Sequence, residues 1–254
     1  MERIVVDGRA LELRRIPGLA GRPWLVFLHE GLGSAAQWRD FPDRIAAQAR
    51  CPALVYSRYG YGQSDPLREA RGPDYMHHEA LVALPALLDR LGIARPLLLG
   101  HSDGASIALI HAGGAGRAVA GLVLLAPHVF VEPISLQGIA AAGEVFRTTD
   151  LAQRLGRHHR DPVATFRGWN DIWLSPAFRD WNIEAFLPAI AAPALLIQGR
   201  EDEYGSLAQL DALERGLAGP VERLVLEHCR HAPQRDQPAA TEAAILRFLR
   251  ALHG

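Results

Sequence analysis

The sequence predicts an α/β fold: a mostly parallel, eight-stranded sheet flanked by helices, with a helical insertion. Three observations predict it. Short, continuous apolar runs recur along the chain, the pattern of strands covered on both faces. Helical stretches rich in Ala and Leu separate them, the alternation that builds parallel sheets. One break in the alternation, residues 129–191, has helical patterning and no buried strand.

Taken in order, residues 3–6 and 10–14 flank Asp7-Gly8, a two-residue hairpin signal. Residues 24–28, 53–56, 96–99 and 122–125 are the next four apolar runs, and 194–197 and 223–226 the last two. Helical patterns cover about 77–91, from just after Ser102 to about 112, and about 239–252. The expected division is therefore 1–128 and 192–254 as the core and 129–191 as an insertion. The insertion carries Phe146, Phe166, Trp169, Trp173, Phe178, Trp181 and Phe186. These aromatics fill its own core or line a pocket beneath it, and both readings hold for different residues.

Leu97-Leu98-Leu99 runs into Gly100-His101-Ser102-Asp103-Gly104 and then an Ala-rich helix. This is G-x-S-x-G between a buried strand and a helix, the setting in which a strained turn lifts a serine above a sheet. The flanking positions must be small, because bulk there meets the neighbouring strand and helix. A serine hydroxyl needs a positioned base, and the base an orienting acid. Both are expected past later strand ends, where open α/β sheets bind ligands. The strand at 194–197 leads to Arg200-Glu201-Asp202-Glu203, and that at 223–226 to Glu227-His228-Cys229-Arg230-His231-Ala232-Pro233.

These motifs together resemble those of α/β-hydrolase fold enzymes with a helical cap, along essentially the whole chain. His29-Glu30-Gly31-Leu32-Gly33-Ser34 resembles the family's H-G-x oxyanion loop, with Glu30 where glycine is usual. Residues 56–64 resemble the D-x-x-G-x-G-x-S turn, with Ser57 where aspartate is usual. Gly199-Arg200-Glu201-Asp202 resembles G-x-x-D, and His231-Ala232-Pro233 resembles H-x-P. The resemblance implies Ser102 as nucleophile, Asp202 as acid rather than Glu201 or Glu203, and His231 as base rather than His228. It implies the backbone N–H groups of Gly31 and Asp103 as oxyanion donors, with Leu32 less favoured. Leu32, His101, Trp169 and Trp173 are the expected substrate-binding residues, His101 packed or bonded locally and not carrying protons. His158-His159, in an arginine-rich stretch, are expected at the surface.

The implied activity is hydrolysis of a carboxylic ester or related acyl compound on a small molecule with a hydrophobic part. Carbon–carbon hydrolysis of aromatic ring-cleavage products is the close alternative. A non-catalytic ligand receptor on the same scaffold is the alternative of another class. Serine at the elbow excludes the aspartate-dependent dehalogenase reaction. All basic residues are arginine, so a Schiff-base lysine is excluded. No cofactor and no metal site is expected, since no ligand cluster has metal spacing.

Bulk properties bound the rest. With 254 residues, 49% hydrophobic and 22% charged, the chain is long and apolar enough for a full core. Net charge of −1 argues against a nucleic-acid partner. Cys51 and Cys229 make no disulfide scaffold. No signal-peptide core and no apolar run of ~18 residues is present. The expectation is a cytoplasmic monomer or homodimer without a membrane span.

Overall fold

The computed structural model describes residues 1–252. Asp7 and Gly8 take positive φ values of 48° and 76°, the pair of left-handed residues that a tight hairpin turn requires. They join β1 (Glu2–Val6) to β2 (Arg9–Ile16) as an antiparallel pair. The remaining strands are β3 (Leu25–Leu28), β4 (Ala53–Tyr56), β5 (Leu97–His101), β6 (Gly121–Leu125), β7 (Ala194–Gly199) and β8 (Val221–Leu226). The sheet order is β1-β2-β4-β3-β5-β6-β7-β8, with every pair from β4 to β8 parallel. The expected apolar runs coincide with these strands to within one or two residues.

The helices are α1 (Phe41–Ala49), α2 (Tyr75–His78), α3 (Leu84–Leu91), α4 (Asp103–Gly114), α5 (Pro133–Thr148), α6 (Leu151–Gly156), α7 (Pro162–Leu174), α8 (Ala208–Gly216), α9 (Pro233–Asp236) and α10 (Pro238–Ala251). A π-helical turn, Glu79–Ala83, links α2 to α3, so the expected 77–91 helix begins earlier and is irregular inside. Helices α1, α8 and α9 have no counterpart in the sequence reading.

Side chains alternate across each strand, which splits the core in two. Val26, Leu28, Leu54 and Leu98 pack with α2–α4 and the helices between β6 and β7. Leu25, Phe27, Val55, Leu97 and Leu99 pack with α1 and α10. Burial on both faces explains why these strands read as unbroken apolar runs. Helix α4 is buried from Asp103 to His111. It has no solvated face and therefore no amphipathic stripe. Helices α5–α7 and two short 3-10 turns, Pro176–Phe178 and Glu184–Ala189, fill the span between β6 and β7. Among the described residues no helix is long and apolar enough to cross a membrane.

Candidate active site

Ser102 joins β5 to α4 with φ 53° and ψ −120°. A non-glycine residue held there stores roughly 1–3 kcal/mol of strain. The flanking glycines make the turn possible. A Cβ on Gly104 would lie 2.0 Å from the Leu28 carbonyl oxygen, and one on Gly100 2.4 Å from the Gly104 carbonyl oxygen. The Ser102 N–H donates to Leu125 O on β6 (2.9 Å), which pins the turn to the next strand.

The loops after β7 and β8 meet because Gly199 lets them. A Cβ there would sit 2.0 Å from Cys229 O. Across this contact His231 Nδ1–H donates to Asp202 Oδ1 (2.8 Å). Asp202 also accepts from the Tyr204 N–H (2.9 Å) and from Gln198 Nε2 (3.2 Å). Burial works to raise the Asp202 pKa, but the His231 charge and hydrogen bond hold it below the usual carboxylate value. Burial works to lower that of His231, and Asp202 reverses this, raising it above the usual imidazole value. The rival acids and base lie elsewhere: Glu201 faces His228 (3.7 Å), whose side chain is 92% exposed, and Glu203 pairs with Arg230 (2.9 Å).

Ser102 and His231 line one cavity of about 230 Å³ with Glu30, Gly31, Leu32, His101, Trp169 and Trp173. The structure thus brings to one cavity all the residues expected there, with Asp202 behind His231 and Asp103 behind Ser102. Gly31 is tight against Trp169: a Cβ would reach 2.2 Å from the indole nitrogen. Glu30, the departure from glycine, has no left-handed backbone among the described residues. Its carboxylate lies 3.4 Å from His101 Nδ1 and 3.7 Å from Arg235. Burial works to raise its pKa, but the His101 hydrogen bond and nearby charge hold it well below the carboxylate range. His101 Nε2–H donates to the His231 carbonyl (2.7 Å), and Nδ1, which faces the Glu30 carboxylate, also lies 3.2 Å from the Gln234 side-chain amide. His101 is therefore bonded through both ring nitrogens.

Sequence reasoning missed several groups. Ile139, Tyr204 and Arg235 also line the cavity, as does His128. The His128 ring is 5.6 Å from that of His231 and 5.3 Å from Trp173, centroid to centroid. Burial, with the His231 charge second, pushes its pKa down to about 3, so it is neutral at physiological pH. Its position just past β6, at a strand's carboxyl end, was the available signal. His159 corrects the surface expectation: it is 2% exposed. It accepts from the Gly62 N–H (3.0 Å) and donates through Nε2 to Leu32 O (3.0 Å), joining the 129–191 segment to two core loops. At the other departure, the Ser57 hydroxyl donates to Glu12 Oε2 (2.7 Å), so β2 supplies the carboxylate that the turn lacks. Among the described residues, no three or more His, Cys, Asp or Glu side chains are grouped to hold a metal ion.

Comparisons with known proteins place this geometry in context. A model of the family described as "Alpha/beta hydrolase family" matches residues 25–244. A 2-succinyl-6-hydroxy-2,4-cyclohexadiene-1-carboxylate synthase from Klebsiella pneumoniae (strain 342) is 26% identical over 251 residues, covering 91% of this chain and 96% of that protein. A dihydrolipoyllysine-residue acetyltransferase component of an acetoin cleaving system, from Pseudomonas putida, is 35% identical over 269 residues, covering 98% and 69%. Among solved structures, a thermophilic esterase from Thermogutta terrifontis superposes over the full length of both chains, with a TM-score of 0.76 at 19% identity. That last likeness is one of fold.

Proposed function

Since the chain belongs to the alpha/beta hydrolase family, we propose that it is a serine hydrolase. It cleaves a carboxylic ester, or a related acyl compound, through a Ser102–His231–Asp202 triad and an acyl-enzyme. The observation that carries this reading is the His231–Asp202 hydrogen bond behind the cavity that Ser102 and His231 line. It commits Nδ1 to the acid and leaves Nε2 for the serine, the division of labour a triad needs. The relatives' names span different reactions, so the site, not the likeness, supports the ester reading.

Ser102 Oγ attacks the substrate carbonyl as His231 Nε2 takes its proton. Asp202 fixes the imidazole tautomer and stabilises the imidazolium. The tetrahedral oxyanion is met by the backbone N–H groups of Asp103 and Gly31, each contributing on the order of 3–4 kcal/mol. The N-terminus of α4 adds its dipole. His231 returns the proton to the leaving alcohol, then activates water to release the acid. Residues 129–191 act as a cap on the core formed by 1–128 and 192–254. Leu32, Ile139, Trp169 and Trp173 are apolar walls, which suits a small substrate with a hydrophobic part.

The test is an assay of wild type and Ser102→Ala on p-nitrophenyl esters of graded acyl length, with an aromatic ring-cleavage dienone alongside. Turnover of short esters by the wild type and none by the mutant is expected. Turnover of the dienone alone would assign the same residues to carbon–carbon hydrolysis. Ester turnover surviving in Ser102→Ala would remove the serine from the mechanism.

A further inference from the structure

Behind the cavity lies a buried cation that the mechanism above does not use. Arg58 follows β4, and its side chain is fully buried. Its Nε and Nη1 have no hydrogen-bond partner among the described residues. A buried arginine so incompletely paired costs stability, so what its remaining nitrogen holds is informative. Nη2 donates to the carbonyl oxygen of Glu30 (3.0 Å). The Arg58 backbone N–H donates to His29 Nε2 (3.1 Å), which leaves the proton of His29 on Nδ1. Nδ1–H then donates to the same Glu30 oxygen (2.7 Å), and the Gly33 N–H adds a third bond (3.1 Å).

The Glu30–Gly31 peptide is trans, as is every described peptide bond. In a planar trans peptide the carbonyl and the N–H point in opposite directions. Fixing the Glu30 oxygen therefore fixes the Gly31 N–H on the other side, and Gly31 lines the cavity with Ser102. Withdrawing charge from the carbonyl also makes that N–H a stronger donor. The same guanidinium lies 4.0 Å from the carboxylate of Asp103, the residue that supplies the second oxyanion donor. That carboxylate accepts from Tyr75 OH (2.6 Å), which accepts from Trp173 Nε1 in α7 (3.1 Å).

We propose that Arg58 is a positioning residue for the oxyanion hole, holding the Glu30–Gly31 peptide so that the Gly31 N–H meets the transition-state oxyanion. The proposal rests on the serine-hydrolase reading. Its effect belongs to the transition state, so kcat must suffer and substrate binding must not.

The experiment compares wild type, Arg58→Lys and Arg58→Met on p-nitrophenyl acetate, and measures inhibition by an aryl trifluoromethyl ketone, whose serine adduct carries an oxyanion. Arg58→Met is expected to lower kcat on the order of 10²-fold with KM nearly unchanged, and to raise the ketone's Ki by a similar factor. Arg58→Lys should recover part of both losses. A kcat loss without a matching rise in Ki, or a KM that rises in its place, overturns the proposal. A second measurement does not depend on the variants folding: the Gly31 amide proton of wild type should shift downfield by NMR when the ketone adduct forms, and an unmoved resonance also overturns it. Labelling of wild-type Ser102 by a fluorophosphonate separates the two readings. An unlabelled, inactive wild type sinks the serine-hydrolase reading, whereas a labelled wild type with an unaffected Arg58→Met sinks the role of Arg58 alone.

Discussion

Two imidazole–carboxylate pairs share one cavity and differ in what their rings have left to offer. His231 spends Nδ1 on Asp202 at 2.8 Å, and no protein group among the described residues bonds Nε2. His101 spends Nε2 on the His231 carbonyl and Nδ1 between the Glu30 carboxylate (3.4 Å) and the Gln234 amide. A carboxylate near a histidine therefore does not make a base; an uncommitted ring nitrogen facing the substrate does. The second pair does a structural job. Glu30 sits on the 29–34 loop, His101 at the end of β5, and Gln234 and Arg235 in α9. Their contacts tie the three segments that surround Ser102.

Substitutions on the two sides should separate these roles. Asp202→Asn should have the largest effect, lowering kcat on the order of 10⁴-fold, because the amide favours the wrong tautomer of His231. Its pH profile carries a second signature. Asp202 raises the His231 pKa above the ordinary imidazole value of about 6.5. The base is protonated below that raised pKa, so wild-type kcat/KM should fall on the acid side with a midpoint above 6.5. In Asp202→Asn the midpoint of the residual activity should move to lower pH, since the main opposition to burial is then gone and only the weaker Glu203 and Glu30 charges remain. A midpoint that stays put would break the pairing.

Glu30→Gln should cost less than about tenfold in kcat/KM, because its carboxylate reaches no reacting atom and is partly solvated. Among the groups that raise the His231 pKa, Glu30 ranks last. The acid midpoint should therefore move in the same direction as in Asp202→Asn, and by less. His101→Ala should change turnover least. Its main effect is on stability, about 1–3 kcal/mol lost in denaturant titration, because the His231 carbonyl loses its donor. A loss of turnover rivalling that of Asp202→Asn would make His101 a proton carrier and erase the distinction.

Much of this molecule was legible because its informative features are local. An apolar run such as 53–56 is unbroken because both faces of β4 are covered. Gly100 and Gly104 announce the turn because nothing larger fits. What escaped reading depends on partners far along the chain. His159 looked solvated beside Arg157 and Arg160, yet its ring lies between Gly62 and Leu32, 97 and 127 positions away. Glu30 looked like a fault in a glycine motif until His101 and Arg235 supplied its partners. Arg58 carries no local mark at all: its role exists only once β4 brings it under the 29–34 loop. Helices α1 and α8 were missed for another reason. Each is only nine residues long, too short for a helical period to repeat clearly.

The order of the sheet also governs when the site exists. Ser102 follows β5, in the interior of the sheet, whereas Asp202 and His231 follow β7 and β8, the last two strands in sequence and the outermost at that end. His101 and His231, joined ring to carbonyl, are 130 residues apart. A chain emerging from the ribosome presents its serine elbow while the histidine loop is still unsynthesised. On the proposed triad the serine therefore has neither base nor acid until β7 and β8 have joined the sheet, so activity would report on completed folding.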